Sequence, residues 1–193
     1  DGKTTSILDI ISEEPGNTYN GDTGRTACEH YRRYREDVAL MKELGLPSYR
    51  FSVSWPRILP GGRGRINEKG LDFYSRLVDE LLSAGIEPWC TLYHWDLPQI
   101  LQERGGWVNP EISDSFAEMT QAVAGKLGDR VKNWMTLNEP QCFLGMSLLQ
   151  GVQAPGLKLP LYEVIKAVHN ALVAHGKSVD ALRSIGGNGF KIG

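Results

Sequence analysis

The chain has 193 residues, 41% of them hydrophobic and 23% charged, the balance of a folded globular protein rather than a disordered or fibrous one. Its 21 Lys and Arg against 23 Asp and Glu leave a net charge of −2, no electrostatic footprint for nucleic acid or for an anionic membrane surface. Apolar runs are short and broken by charges, well under the roughly 20 residues of a bilayer-spanning helix. The three cysteines, Cys28, Cys90 and Cys142, are odd in number, far apart and without metal-ligand spacing, so a reduced, cytoplasmic setting is expected, and no ligand cluster suggests a metal or other cofactor.

The organisation repeats along the chain. A helical pattern closes on Gly45, and Ser48 to Trp55 then reads as a β-branched and aromatic strand. Glu68 to Ala84 places Leu71, Tyr74, Leu77, Val78, Leu81 and Leu82 at helical spacing, stops at Gly85 and leads into a strand over Pro88 to Tyr93. Asn109-Pro110-Glu111 reads as an N-cap followed by Pro at the first helical position, opening a helix that ends near Gly128 and precedes a strand over Val131 to Leu137. A fourth helix, about Leu161 to Ser184, breaks at Gly186-Gly187 before Phe190 to Gly193, where a fourth strand begins. Helices alternating with single strands through short turns predict an α/β fold with parallel pairing.

Two architectures satisfy that alternation, an open doubly wound sheet and a closed barrel. The open sheet predicts a Gly-rich phosphate turn after a strand, but Gly61-Gly62-Arg63-Gly64 lacks the spacing and Gly186-Gly187-Asn188-Gly189 precedes a strand instead. Polar residues gather instead at strand C-terminal ends, at Ser54-Trp55, His94-Trp95-Asp96 and Asn138-Glu139-Pro140, where a barrel holds its chemistry. At 193 residues the chain falls short of the about 250 of a closed eight-stranded barrel, so a single incomplete (β/α)8 TIM-barrel domain is expected over 1–193.

Each strand end has a plain alternative. Glu139 follows the apolar run Trp134 to Leu137 with no Lys or Arg beside it, and burial there would raise its pKa toward that of a general acid; the alternative is a solvated loop carboxylate. Asn138 offers a donor and an acceptor to a sugar hydroxyl, or simply ends a strand. His94 and Trp95 join a neutral hydrogen-bonding ring to a flat apolar face, a pair that suits sugars, or pack in the core. Arg50 stands mid-strand in an otherwise uncharged segment, where burial would demand a carboxylate partner. His169 and His175, six residues apart on the fourth helix, read as structural or solvent-facing.

Four segments, Asn20 to Gly24, Tyr49 to Ile58, Thr91 to Pro98 and Thr136 to Pro140, together with Ala154-Pro155-Gly156, resemble glycoside hydrolase family 1, the bacterial β-glucosidases being the nearest group. The resemblance runs over nearly the whole chain in order. It implies a (β/α)8 barrel that hydrolyses β-glucosides and related β-glycosides with retention, with Glu139 as the acid/base. Asn138 would bind the sugar 2-hydroxyl, His94 and Trp95 would bind the glycone, and Arg50 would orient the nucleophile. A first strand with its glycone-binding Gln, and the Thr-Glu-Asn-Gly-like nucleophile segment, are not among these residues; Ser6-Ile7-Leu8-Asp9 and Arg32 also depart from the family pattern. The resemblance therefore implies strands two to four and the start of the fifth, a fragment holding the acid/base half of the site. Expected partners are a β-glucoside or oligosaccharide and, for a barrel with open edges and an uncovered apolar sheet face, another copy or the complementary barrel half. Such a fragment alone is expected to be inactive. A non-catalytic remnant binding sugar or protein, or another Asn-Glu-Pro retaining barrel hydrolase, is the alternative.

Overall fold

The computed structural model describes residues 2–193. Helix α1 (Ile7–Glu13) opens on a capping box: Ser6 Oγ accepts from the Asp9 amide at 3.2 Å, and the Asp9 carboxylate accepts from the Ser6 amide at 2.8 Å. There follow α2 (His30–Glu43), β1 (Ser48–Ser52), the single turn α3 (Trp55–Ile58), α4 (Glu68–Ser83), β2 (Glu87–Tyr93) and the single turn α5 (Gln99–Gln102). The chain continues through α6 (Ile112–Leu127), β3 (Asn133–Leu137), a π-helical segment (Cys142–Leu149), α7 (Leu161–Gly186) and β4 (Lys191–Ile192). Among the described residues the four strands are parallel and lie in the order β1-β2-β3-β4, so each crossover advances the sheet by one place in the same direction. A doubly wound sheet would reverse that direction at some point.

Local chemistry sets the boundaries. Gly45 and Gly85 sit at φ +70° and +77°, the left-handed conformation that ends α2 and α4 without a Cβ penalty. Gly128 has another reason, since an added Cβ would lie 2.6 Å from the Ala124 carbonyl oxygen and 2.8 Å from the Phe190 ring. Helix α6 runs from Ile112, and the Asn109 carboxamide accepts from the Glu111 amide at 3.0 Å across Pro110, the bond an N-cap side chain makes to the second residue after it. The strand expected to reach Trp55 stops at Ser52, and Trp55 opens α3 with Pro56 at the helix start and its indole donating to the Gly62 carbonyl at 2.9 Å.

The register separates the two faces of the sheet. Phe51, Cys90, Trp134 and Ile192 lie side by side on one face, where Phe51 stacks on Tyr74 of α4 at 6.2 Å and Trp134 packs on Phe190 at 5.6 Å. Leu77 and Leu81 of α4, Phe116, Met119 and Val123 of α6, and Ala167, Ala174 and Leu182 of α7 are buried in this core. Small residues along α7 bring it close to α6, where Thr120 donates to Ser178 at 3.0 Å inside the contact. Near the strand ends, Trp55, Tyr93, Trp107 and Phe116 interlock with ring centroids 5.1 to 6.3 Å apart, pairs that contribute about 0.5 to 1.5 kcal/mol each beyond their burial. The opposite face is built from the rows Arg50-Trp89-Asn133-Lys191 and Ser52-Thr91-Met135. That face mixes the polar Arg50, Ser52, Thr91, Asn133 and Lys191 with the apolar Trp89 and Met135 and, nearer the strand ends, the pair Tyr93 and Leu137; further apolar surface lies on α7, where Leu161, Ile165, Val168 and Leu172 are exposed. Among the described residues, no helix is long and apolar enough to cross a membrane.

Candidate active site

The sheet ladder continues past the last residue of each central strand, as the Val53 amide donates to the Thr91 carbonyl at 3.0 Å and the Asn138 amide to the Tyr93 carbonyl at 2.9 Å. These bonds bring Ser54, His94 and Asn138 to one level at the C-terminal end of the sheet. Asn138, only 7% exposed, is the hub. Its side-chain oxygen accepts from Arg50 Nη2 at 2.6 Å, and its backbone carbonyl accepts from the Trp95 indole at 2.9 Å. Arg50 Nε donates to Thr91 Oγ1 at 2.8 Å, so the guanidinium is held in a fixed orientation across β1, β2 and the end of β3. The His94 and Trp95 rings meet edge to face at 5.3 Å. Burial, and then the Arg50 charge, hold the His94 pKa below its ordinary value against an opposing pull from Glu139, so its imidazole is neutral at pH 7. Arg50, His94, Trp95, Asn138 and Glu139 thus share one strand-end cluster.

Two of these residues have left-handed backbones without being glycine, Trp95 at φ +75° and Glu139 at φ +44°. Such conformations cost about 1 to 3 kcal/mol each and persist only where the surroundings impose them. Here the imposing contacts are the Trp95 indole bond and, for Glu139, the immediate entry into the π-helical segment, whose Cys142 amide donates to the Glu139 carbonyl at 2.9 Å. Cys142 also donates its S–H to Glu139 Oε2 at 3.5 Å, and burial together with the Glu139 charge pushes its thiol pKa up.

Two expectations change. Glu139 is exposed in this chain, not buried, because the turn after β3 swings it clear of the Trp134 to Leu137 run and onto the open end of the sheet. Arg50 is likewise exposed and is satisfied by two neutral oxygens rather than by a carboxylate, since its side chain belongs to the mixed face. A cavity of about 380 Å³ lies beside it, lined by Arg50, Ser52, Thr91 and His94 from the sheet and by His30 and Tyr74 from the helices. His169 is exposed and His175 bonds Thr136 Oγ1 at 2.7 Å on the helix-covered side, both away from the cluster.

Sequence reasoning passed over Thr91 and Cys142. Strand pairing decides Thr91's role and one-residue register cannot be read from a single strand, but the three-residue spacing of Cys142 from Glu139 at a helix start was visible. Beside the cluster, burial pushes the Asp96 pKa up to about 7 against the opposing effect of the Ser54 hydroxyl. Among the described residues, no three His, Cys, Asp or Glu side chains are grouped to hold a metal ion.

The chain matches Glycosyl hydrolase family 1 over residues 1–193. It is 53% identical over 183 residues to β-glucosidase A of Thermotoga maritima, an alignment covering 95% of this chain and 41% of that protein. Against β-glucosidase A of Acetivibrio thermocellus it is 50% identical over 185 residues, covering 96% and 41%. The solved structure of the β-glucosidase from Thermotoga maritima in complex with glucoimidazole superposes with a TM-score of 0.96 at 52% identity, covering 100% of this chain and 43% of that one. The chain therefore spans about two fifths of the length of these relatives, and its parallel sheet and crossover helices are part of a (β/α)8 barrel. With its whole length matched and its strands superposed on those of solved β-glucosidases, this chain belongs to glycosyl hydrolase family 1.

Proposed function

We propose that these residues form the acid/base half of a retaining β-glycosidase acting on β-glucosides, as a single incomplete barrel domain containing the second to fourth barrel strands and the start of the fifth. The observation that carries the reading is the convergence of Arg50, Asn138 and Glu139 from β1 and β3 with His94 and Trp95 from β2 on one strand-end cluster. A retaining site needs two carboxyl groups about 5 to 5.5 Å apart, one to protonate the leaving oxygen and one to attack the anomeric carbon. Glu139 takes the first role. Its exposure suits a group that meets the aglycone at the mouth of a site, and substrate together with the remaining strands would supply the desolvation that raises a carboxyl pKa. Asn138, already oriented by Arg50 and Trp95, presents its amide to the sugar 2-hydroxyl, while His94, held neutral, can donate to or accept from a hydroxyl beside the Trp95 face. Arg50 keeps unused N–H groups for the nucleophile carboxylate of a completed barrel.

Relatives include both β-glucosidase A, at 53% identity, and the aryl-phospho-β-D-glucosidase BglC of Bacillus subtilis, at 46%. The higher identity and the Thr136 to Pro140 segment favour the unphosphorylated glycoside. Three free thiols, with Cys90 buried and its pKa raised by burial, support a reducing cytoplasmic setting. The test joins this chain to a complementary barrel segment. The completed protein is expected to hydrolyse an aryl β-glucoside and release the β-anomer first by NMR, while the 193 residues alone show no turnover. Release of the α-anomer first, or turnover by the isolated chain, overturns the reading.

A further inference from the structure

Arg50 reaches Asn138 along a diagonal on which one hydroxyl is the intermediate stop. In the sheet register Arg50 pairs with Trp89, whereas Thr91 lies two residues nearer the strand ends, between Ser52 of β1 and Met135 of β3. The guanidinium spans that offset, its Nε donating to Thr91 Oγ1 at 2.8 Å and its Nη2 to Asn138 Oδ1 at 2.6 Å. Thr91 is only 1% exposed, is paired with a strand on each side and carries a β-branched side chain stiff at χ1, so its hydroxyl is a fixed acceptor. Arg50 is an exposed, long side chain. One hydrogen bond would leave its guanidinium free to pivot, and the second fixes its plane. Asn138 needs that constraint, because the torsion of a carboxamide is broad and its oxygen and nitrogen have nearly the same shape, so only the partners decide which one faces a ligand. A guanidinium has donors alone and can face only Oδ1, which keeps the Nδ2 donors of Asn138 for the ligand.

We propose that Thr91 is a positioning residue of the candidate sugar site: acting through Arg50, its hydroxyl fixes the Asn138 carboxamide with Oδ1 on the guanidinium and Nδ2 free, and so makes Asn138 a hydrogen-bond donor to the substrate. That this donor meets the sugar 2-hydroxyl rests on the glycosidase reading, but the orientation itself does not. Trp95 cannot supply it, because its indole bonds the Asn138 backbone carbonyl and leaves the carboxamide torsion free. The backbone and the side chain of Asn138 are thus held by separate contacts, the first from Trp95 and the second from Thr91 by way of Arg50. Val in place of Thr91 keeps the branched shape that suits a strand and removes the acceptor, so the comparison of the two isolates the hydroxyl.

The experiment first follows the Asn138 side-chain NH₂ pair and the Arg50 Nε–H in the ¹⁵N-labelled 193-residue chain, assigned by their losses in Asn138→Asp and Arg50→Lys. In Thr91→Val, hydrogen exchange at Arg50 Nε is expected to speed at least about tenfold, and the Asn138 pair to move to the position it takes in Arg50→Lys. Thr91→Ser, which keeps the hydroxyl, should restore the native spectrum. An Asn138 pair that shifts in Arg50→Lys but stays native in Thr91→Val overturns the proposal, as does one that shifts equally in Thr91→Ser, since the strand rather than the hydroxyl would then be responsible. Thr91→Ala carries the same comparison should the Val variant not fold. The second arm uses the completed barrel with an aryl β-glucoside and its 2-deoxy analogue. Thr91→Val should shrink the ratio of their kcat/KM values by about tenfold, beyond any loss that both substrates share through the nucleophile, an effect that a purely structural role would not produce. A ratio constant within about twofold overturns the link from Thr91 to the substrate. A completed barrel inactive on both substrates counts against the glycosidase reading instead, and the Asn138 resonances still decide the positioning.

Discussion

Asp96→Asn should change how stability depends on pH, and the size follows from the burial of the carboxyl. Its pKa rises from the ordinary 3.8 to about 7 in the folded chain, so between those values the folded state holds a proton that the unfolded state has released. The sign follows from that difference: native stability falls as pH rises from about 4 to about 7, then levels off. At about 1.4 kcal/mol per pH unit, the full decrease is about 4 kcal/mol, of which more than half falls between pH 5 and 7. His94 contributes the opposite trend, because its depressed pKa makes stability fall as pH drops through about 6.5 and below. The difference between wild type and Asp96→Asn removes that shared contribution. Urea unfolding of both chains at pH 5, 6, 7 and 8 should show the Asn variant gaining on wild type by about 2 kcal/mol or more from pH 5 to pH 8. A difference that stays constant within about 0.5 kcal/mol, or that moves the other way, would refute the assignment of a buried neutral carboxyl.

Further predictions concern packing and assembly. Gly176→Ala in α7, where nothing lies within 4 Å of the new methyl, should stabilise the chain by about 0.5 to 1 kcal/mol in thermal unfolding. Gly70→Ala in α4 should destabilise it by about 1 to 3 kcal/mol despite the same gain in helix propensity, because its methyl would meet the Arg57 carbonyl oxygen at 2.3 Å. The isolated chain should self-associate in sedimentation velocity through the stripe Leu161, Ile165, Val168 and Leu172 on α7, each at least 39% exposed, and Ile165→Lys with Leu172→Lys should return it to a monomer. A wild-type monomer would contradict that prediction.

The parallel order was legible because each helix ended in a glycine turn and each strand was a short apolar run; Gly45 and Gly85 stop helices for the reason their positions suggested. What escaped depended on partners distant in sequence. Arg50 required an acceptor, but which face of β1 it occupies, and that Thr91 lies beside it, is decided by a strand pairing 41 residues away. The run Cys142 to Leu149 reads as an ordinary apolar segment, and its π-helical winding, with the Gln150 amide reaching back to the Gly145 carbonyl, is set by the entry from Glu139. The exposure of Glu139 was invisible because flanking apolar residues say nothing about the direction of the turn that carries it. Asp96 gave a signal only by standing beside His94 and Trp95, since the burial of its carboxyl follows from where Ser54 and Tyr74 fall.

Whether Glu139 serves as the acid/base of a retaining β-glycosidase is read from leaving-group dependence in the completed barrel. Glu139→Gln keeps the side-chain shape and removes proton transfer. Hydrolysis of an alkyl β-glucoside, whose leaving group must be protonated, should fall by roughly 10² to 10⁴ fold, while formation of the glycosyl-enzyme from dinitrophenyl β-glucoside, measured as the initial burst, should fall far less. Equal losses for the two substrates would place the proton donor on another carboxyl group.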